Sequence, residues 1–188
     1  MRTFMPIIHI IGLPGAGKST LGKRLVNKFR IPIYGIGRYR SKFPESLIGE
    51  ADAWLALFCD LSRRQWMNCI LETTGLNCRE VFLEKALPPY QRITVKLEAK
   101  RKILYERIGK KKRREQGYDW LFSHTYGNKY EFVKKLFKEF KDMPADIKID
   151  TSKLKPRDVY KIVLEKLEGN LLKCAIEVLK GRSKDTEL

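Results

Sequence analysis

A short apolar run that leads into a glycine-rich loop constrains this chain more than any other feature. Residues 7–11 are four isoleucines around one histidine, a β-branched composition typical of a fully buried strand in a parallel sheet. Leu21, Leu25 and Phe29 then recur at helical spacing. Between strand and helix lies the pattern G-x-x-x-x-G-K-S, formed by Gly12, Leu13, Pro14, Gly15, Ala16, Gly17, Lys18 and Ser19. This order of elements is typical of a phosphate-binding loop.

The loop residues supply the chemical groups that bind a nucleoside triphosphate. Glycines permit positive φ angles, so backbone N–H groups converge on a phosphate at the positive end of the following helix. Lys18 is expected to bridge the β- and γ-phosphates, Ser19 to ligate Mg²⁺ through its hydroxyl, and Thr20 to contact the α-phosphate. We therefore predict that residues 12–20 bind ATP together with Mg²⁺.

Strand-like and helical patterns alternate along the remaining chain. Strands are predicted at residues 31–34, 69–73, 93–97 and 147–150, and helices at 18–30, 45–68, 79–86, 100–108, 129–141 and 155–167. This alternation predicts a three-layer α/β fold of the P-loop NTPase type, with a mainly parallel five-stranded sheet and helices on both faces. Residues 1–168 are predicted to form one domain, to which residues 169–188 add a C-terminal helix and a frayed tail.

Composition and cysteine spacing exclude several other classes of protein. With 188 residues, of which 43% are hydrophobic, the chain can bury a core without disulfides or a structural metal. No segment approaches the roughly 20 apolar residues that span a bilayer, and the N-terminus lacks the pattern of a signal peptide, so we expect a cytoplasmic protein. The four cysteines lack zinc-site spacing and are interpreted as reduced structural thiols: Cys59, Cys69, Cys78 and Cys174.

The net charge of +17 indicates an anionic partner or a solvated basic surface. Most of the Lys and Arg residues follow Lys96 in the sequence, and residues 110–114 are a dense basic segment. Binding of nucleotide phosphates would explain part of this positive charge, and a nucleic-acid partner is an alternative that the charge alone does not decide.

The chain resembles the small P-loop kinases of the group that includes adenylate kinase, gluconate kinase, chloramphenicol phosphotransferase and polynucleotide kinase. The resemblance covers about residues 5–167. It is carried by the loop at 12–20, by Leu-Glu-Thr-Thr-Gly-Leu-Asn at 71–77 with Arg79 following, and by Ile-Lys-Ile-Asp-Thr-Ser at 147–152. A GTPase is disfavoured because the sequence lacks the N-K-x-D segment that recognises guanine.

The resemblance implies further roles around the nucleotide. Related kinases close an arginine-rich lid over ATP, which implies a basic lid at about residues 109–120 and catalytic arginines at Arg107, Arg113 and Arg114. Glu72, at the end of a predicted strand, would hold Mg²⁺ through water. Thr151 and Ser152 would border the adenine.

The acceptor side departs from the pattern of these kinases. Many relatives carry an acidic general base shortly after the second strand, whereas residues 34–41 contain no carboxylate. Glu50 and Asp52 are the replacement bases that we consider, although carboxylates at a helix start are equally explained by the helix dipole. An anionic acceptor would be bound by the remaining candidates: Arg38, Arg40 and Arg79.

The sequence therefore predicts an ATP-dependent phosphotransferase that moves the γ-phosphoryl group to a hydroxyl or phosphate acceptor. A nucleoside or nucleotide ranks first as acceptor. A polynucleotide 5′-hydroxyl kinase, a small hydroxyl compound as acceptor, and a non-catalytic nucleic-acid-binding module that keeps ATP as a ligand are the alternatives. Oligomeric state is left open.

Overall fold

The computed structural model of the chain describes residues 5–76, 91–110 and 125–184. Its centre is one sheet of five strands in the order β2-β3-β1-β4-β5, and every neighbouring pair is parallel. The predicted five-stranded parallel sheet is confirmed. The strands are β1 Ile7–Gly12, β2 Ile33–Gly35, β3 Ile70–Thr73, β4 Arg92–Glu98 and β5 Ile147–Asp150.

Helices connect the strands and cover both faces of the sheet, as a parallel arrangement requires. The described helices are α1 Lys18–Phe29, α2 Ile36–Arg40, α3 Leu47–Arg63, α4 Arg101–Lys110, α5 Lys129–Asp142 and α6 Pro156–Lys184. The three-layer α/β fold predicted from the sequence is therefore also confirmed. None of the helices in the described ranges is long and apolar enough to cross a membrane.

Side chains of β1 pack in two hydrophobic clusters, because the strand has residues on both faces of the sheet. Ile8 packs in the cluster that contains Leu21 and Leu25 of α1. Ile7 packs in the cluster that contains Trp54 of α3. All residues of β1 are buried, which explains why the sequence reads as a continuous apolar run rather than an alternation.

The parallel register brings the carboxyl ends of the strands to one edge of the sheet. Ile11 of β1 lies opposite Thr73 of β3, and Glu98 of β4 lies opposite Asp150 of β5. The loop that begins at Gly12, the side chain of Glu72 and the segment after Asp150 therefore share this edge, where ligands of such sheets bind.

Three helices differ clearly from the prediction. α3 starts at Leu47 because the Ser46 hydroxyl accepts a 3.0 Å hydrogen bond from the Gly49 amide as an N-cap, and it ends before Gln65, whose φ of 54° is left-handed. α2 was not predicted, since its five residues are too few to show a helical period. α6 continues through Gly169, where two helices were predicted, because an internal glycine costs only about 1 kcal/mol.

Candidate active site

The phosphate loop connects β1 to α1 with two glycines in the left-handed region. Gly15 has φ 85° and Gly17, the N-cap residue of α1, has φ 100°. A Cβ at Gly15 would lie 2.8 Å from the backbone oxygen of Leu104, so that position excludes a side chain as well. The Gly17 carbonyl accepts hydrogen bonds from the amides of Thr20 and Leu21 at 3.1 and 3.0 Å. The last residue of the loop is therefore joined to the first turn of α1 by backbone hydrogen bonds.

The side chain of Lys18 folds back over the loop. Its Nζ donates a 2.7 Å hydrogen bond to the carbonyl of Gly12 and a longer one of 3.5 Å to that of Leu13. These contacts hold the ammonium group against the carbonyls at the start of the loop. A cation placed there can contact the terminal phosphates of a nucleotide in the loop.

Ser19 and Glu72 meet at the mouth of the loop. The Ser19 hydroxyl donates a 2.7 Å hydrogen bond to Oε1 of Glu72 on β3. A hydroxyl and a carboxylate are hard oxygen ligands, and Mg²⁺ in nucleotide sites is typically held by one or two such protein groups together with phosphates and water. No group of three or more His, Cys, Asp or Glu with metal-ligand geometry occurs within the described residues. The donor set fits Mg²⁺ held jointly with a nucleotide rather than by a protein cage.

Arg107 of α4 ties the segment after β5 to the phosphate loop. Its guanidinium donates to the Thr151 hydroxyl at 2.9 Å, to the Thr151 carbonyl at 2.6 Å and to the Gly15 carbonyl at 3.4 Å. The buried Thr151 hydroxyl also lies 3.3 Å from the carbonyl of Ala16. Arg107, predicted as a catalytic arginine, and Thr151, predicted to border the adenine, are therefore hydrogen-bonded to each other.

These residues enclose one cleft of about 330 Å³ that starts at the phosphate loop and extends to the segment after β5. Loop residues 14–20, Glu72, Arg107 and Thr151 line it with polar groups, and Leu154 and Val159 add apolar side chains. Ser152 is not among the lining residues; its hydroxyl and amide donate to the Asp150 carboxylate at 2.5 and 2.8 Å. The cleft therefore combines the polar groups around the loop with an apolar part at Leu154 and Val159.

On the acceptor side, Arg40 and Glu50 form a buried ion pair. Nε and Nη2 of Arg40 each lie 2.6 Å from a carboxylate oxygen of Glu50, and Trp54 Nε1 donates to Oε1 at 2.8 Å. The side chains are 11% and 6% exposed. The bidentate geometry explains how these charges tolerate burial. The structure thus pairs a predicted anion-binding arginine with a predicted general base.

The other acceptor-side candidates lie apart from this pair. Arg38 is exposed on α2, and Asp52 is half-buried on α3; within the described ranges neither side chain has a hydrogen-bond or ion-pair partner. Arg79, Arg113 and Arg114 lie outside the described residues, as does most of the predicted lid. Tyr39 donates a 2.7 Å hydrogen bond to Asp60, and burial followed by this contact raises the pKa of the Tyr39 phenol.

Two buried polar residues were missed as structural determinants of the site. His9 Nε2 lies 2.8 Å from the Thr73 hydroxyl oxygen, which accepts from the Gly75 amide at 3.2 Å in the turn after Glu72. Burial, with a smaller effect of the nearby Arg92 charge, lowers the pKa of His9 to about 3. The only sequence signal for His9 is a polar residue inside an apolar run.

Lys96 of β4 is the second of these residues, and its side chain is fully buried. Its ammonium donates to the carbonyls of Lys141 and Met143 at 2.7 and 3.0 Å and lies 2.7 Å from Oε1 of Glu98. The Lys96 ammonium therefore caps the C-terminal end of α5 by donating to carbonyl groups there. The alternation of β4 predicts where Lys96 lies in the strand but not which groups it contacts.

Solved structures of small P-loop kinases share this fold, which confirms the resemblance seen in the sequence. A shikimate kinase from Aquifex aeolicus is 25% identical, with a TM-score of 0.60 over 88% of this chain and 98% of that one. A gluconokinase from Sinorhizobium meliloti is 14% identical, with a TM-score of 0.63 over 94% and 99%. A thymidylate kinase from Candida albicans is 18% identical, with a TM-score of 0.57 over 89% and 92%.

No protein-family model matches the chain, and no curated protein matches it in sequence. The similar solved structures therefore define a shared fold of small kinases, and they differ among themselves in acceptor.

Proposed function

We propose that this protein is an ATP-dependent kinase that transfers the γ-phosphoryl group of ATP to a small acceptor. The observation that carries the proposal is the contact between Ser19 and Glu72 at the mouth of a loop with Lys18 folded over it. These three groups come from a helix start and a neighbouring strand, and all three line the same cleft. A hydroxyl, a carboxylate and an ammonium group beside an amide-lined loop suit Mg²⁺ and a triphosphate.

The nucleotide is proposed to lie along the cleft that contains Arg107 and Thr151. Backbone amides of residues 14–20 would surround the phosphates, and Lys18 would contact their terminal oxygens. The apolar part of the cleft, at Leu154 and Val159, suits an adenine ring. Ser19 would ligate Mg²⁺ directly and Glu72 through water. When bound, Mg²⁺ neutralises charge on the phosphate oxygens.

The pairing of Arg40 with Glu50 favours an acceptor that is already ionised. Glu50 is a poor general base while its two oxygens accept from Arg40 and Trp54. A phosphate acceptor carries its own anionic oxygen and needs no base, whereas a hydroxyl acceptor requires a proton acceptor. We therefore place a nucleoside monophosphate first among acceptors, with Arg38 as its anion-binding side chain. For a hydroxyl acceptor, Asp52 becomes the base to test.

A 5′-hydroxyl nucleic acid is the second candidate acceptor, and the net charge of +17 is the observation that favours it. Binding to nucleic acid would weaken steeply as salt increases, because counterions are released from the backbone. A nucleotide held in the cleft would show a smaller salt dependence. The salt dependence of binding therefore separates these two acceptors.

An acceptor panel tests the proposal. ATP consumption with Mg²⁺ is measured for the wild-type chain and for Asp52→Asn against four groups of compounds: nucleoside monophosphates, nucleosides, 5′-hydroxyl oligonucleotides, and the hydroxy acids shikimate and gluconate. We expect turnover with a monophosphate that survives Asp52→Asn. Turnover with a hydroxyl compound that is lost in Asp52→Asn would assign the base instead. Silence across the panel, despite bound ATP, would overturn the kinase proposal.

A further inference from the structure

A second cavity lies near the start of α4 and is lined by residues other than those of the nucleotide cleft. Its volume is about 510 Å³, within the range of small-molecule sites. It opens where β4 and β5 end, and α4 and α5 form its sides. The two cavities share no lining residue. The second cavity is therefore not an extension of the first, and the proposed kinase reaction assigns it no role.

The floor of this second cavity is apolar. Leu13, Leu97, Leu104 and Phe140 line it, and each is at most 3% exposed. Phe137 adds a half-buried ring at the side. A compact apolar or aromatic body would contact mainly the ring of Phe137, with the more deeply buried side chains beneath it.

The rim of the cavity is polar and has a positive balance. Three exposed cations line it: Lys100, Arg101 and Lys141. Two carboxylates line it as well, but Glu98 is paired with the buried Lys96 at 2.7 Å. The other, Asp150, accepts hydrogen bonds from Ser152, which lower its pKa, and Lys100 lies close enough to lower it further. Within the described residues, neither Arg101 nor Lys141 forms an ion pair with a carboxylate at the rim.

We propose that this cavity binds a small amphipathic anion, with its apolar body on the leucine and phenylalanine floor and its anionic group against Arg101 and Lys141. Charge complementarity selects the anionic group, and the buried floor selects the apolar body. Alkyl and aromatic carboxylates, sulfonates and phosphate esters share this chemistry.

The residues between the two cavities would couple a ligand in the second cavity to nucleotide binding in the first. Leu104 lines the second cavity, and its backbone carbonyl packs directly against Gly15 of the phosphate loop. Arg107 lies three residues further along α4 and donates to Thr151 in the nucleotide cleft. A ligand that shifts α4 therefore changes the affinity for nucleotide, and by reciprocity the nucleotide changes the affinity for the ligand.

Titration with anilinonaphthalenesulfonate, an aromatic sulfonate whose fluorescence rises in apolar surroundings, tests the site on the full chain. We expect saturable binding to one site per chain. Lys141→Ala should weaken this binding about tenfold, as expected for loss of one charged contact. Lys138→Ala is the matched control, since Lys138 is an exposed lysine on the same helix that does not line the cavity, and it should leave the affinity within about twofold.

A second variant fills the cavity without changing its charge. Ala99→Leu places a larger side chain at a lining position and should also weaken the probe about tenfold or more. If this variant fails to fold, Lys141→Ala alone decides the question. A probe affinity that neither variant changes overturns the proposal. Strict competition with ATP also overturns it: if the apparent dissociation constant of the probe rises in proportion to the ATP concentration without reaching a limit, the probe occupies the nucleotide cleft, whereas coupling between two separate sites levels off once ATP saturates its own site. Since the readout is probe affinity and not turnover, the result is independent of whether the chain proves to be a kinase.

Discussion

The hydroxyl of Ser19 donates a 2.7 Å hydrogen bond to the carboxylate of Glu72, which is 53 residues away in sequence. Ser19 stands in the first turn of α1 and Glu72 on β3, whose register with β1 sets Glu72 opposite Ile10. The contact brings the predicted Mg²⁺ ligand Ser19 within hydrogen-bonding distance of Glu72, which is predicted to hold Mg²⁺ through water. It is the geometry on which the proposed magnesium site depends.

Replacing Glu72 with Gln should lower turnover without unfolding the protein. The amide keeps the size of the side chain but loses the charge that would hold Mg²⁺ through water, so metal affinity or activity should fall about 10- to 100-fold. Turnover is measured as a function of Mg²⁺ concentration. Glu106→Gln, the same change at an exposed position of α4, should leave the Mg²⁺ dependence unaltered. An unchanged Mg²⁺ profile in Glu72→Gln would contradict the assignment.

Glu50→Gln should destabilise the fold, because it leaves the buried guanidinium of Arg40 without its counter-charge. We expect a loss of about 3 kcal/mol in the free energy of unfolding, measured by urea denaturation. The double variant Arg40→Met, Glu50→Leu should recover most of this loss, since it removes both charges together. Asp52→Asn should change the free energy of unfolding by less than about 0.5 kcal/mol. Equal stability of Glu50→Gln and the wild type would show that the ion pair has little structural importance.

The sequence predicted the phosphate loop, the parallel sheet and the strand-end position of Glu72, because each depends on local composition or on a regular period. It did not predict the pairing of Arg40 with Glu50. That contact depends on how α2 turns toward α3, and α2 is too short to show a period. The same limit applies to Arg107 and Thr151, whose 44-residue separation gives no local pattern. Contacts between elements are set by tertiary packing, which a single sequence does not display.

Arg107→Ala should weaken nucleotide binding. The guanidinium holds Thr151 and the Gly15 carbonyl in position around the cleft, so its loss should reduce the affinity for a non-hydrolysable ATP analogue about tenfold. Isothermal titration calorimetry measures this affinity. Lys102→Ala, at an exposed position of the same helix that lies outside both the cleft and the predicted lid, is the control and should bind the analogue normally. An Arg107→Ala variant with wild-type affinity would remove Arg107 from the nucleotide site.

His9 should make the protein less stable as the pH falls from neutral. Its pKa is about 3 in the folded chain against an ordinary value of 6.5, so between these values the unfolded chain binds a proton that the folded chain does not. Stability therefore rises with pH across this window and is lost as pH falls. From pH 7 to pH 5 the wild type should lose about 2 kcal/mol more than His9→Gln. Denaturation at both pH values measures this difference, and parallel losses in the two proteins would refute it.

Transfer of labelled phosphate from ATP tests the central claim most directly. The wild-type chain, Lys18→Ala and Lys23→Ala are incubated with Mg²⁺, γ-labelled ATP and the acceptor that the panel identifies. Lys23 is exposed on the same helix as Lys18 and serves as the matched control. We predict labelled acceptor with the wild type and with Lys23→Ala, and a loss of at least about 100-fold with Lys18→Ala. Labelled acceptor at the wild-type rate with Lys18→Ala would contradict a phosphoryl transfer centred on this loop.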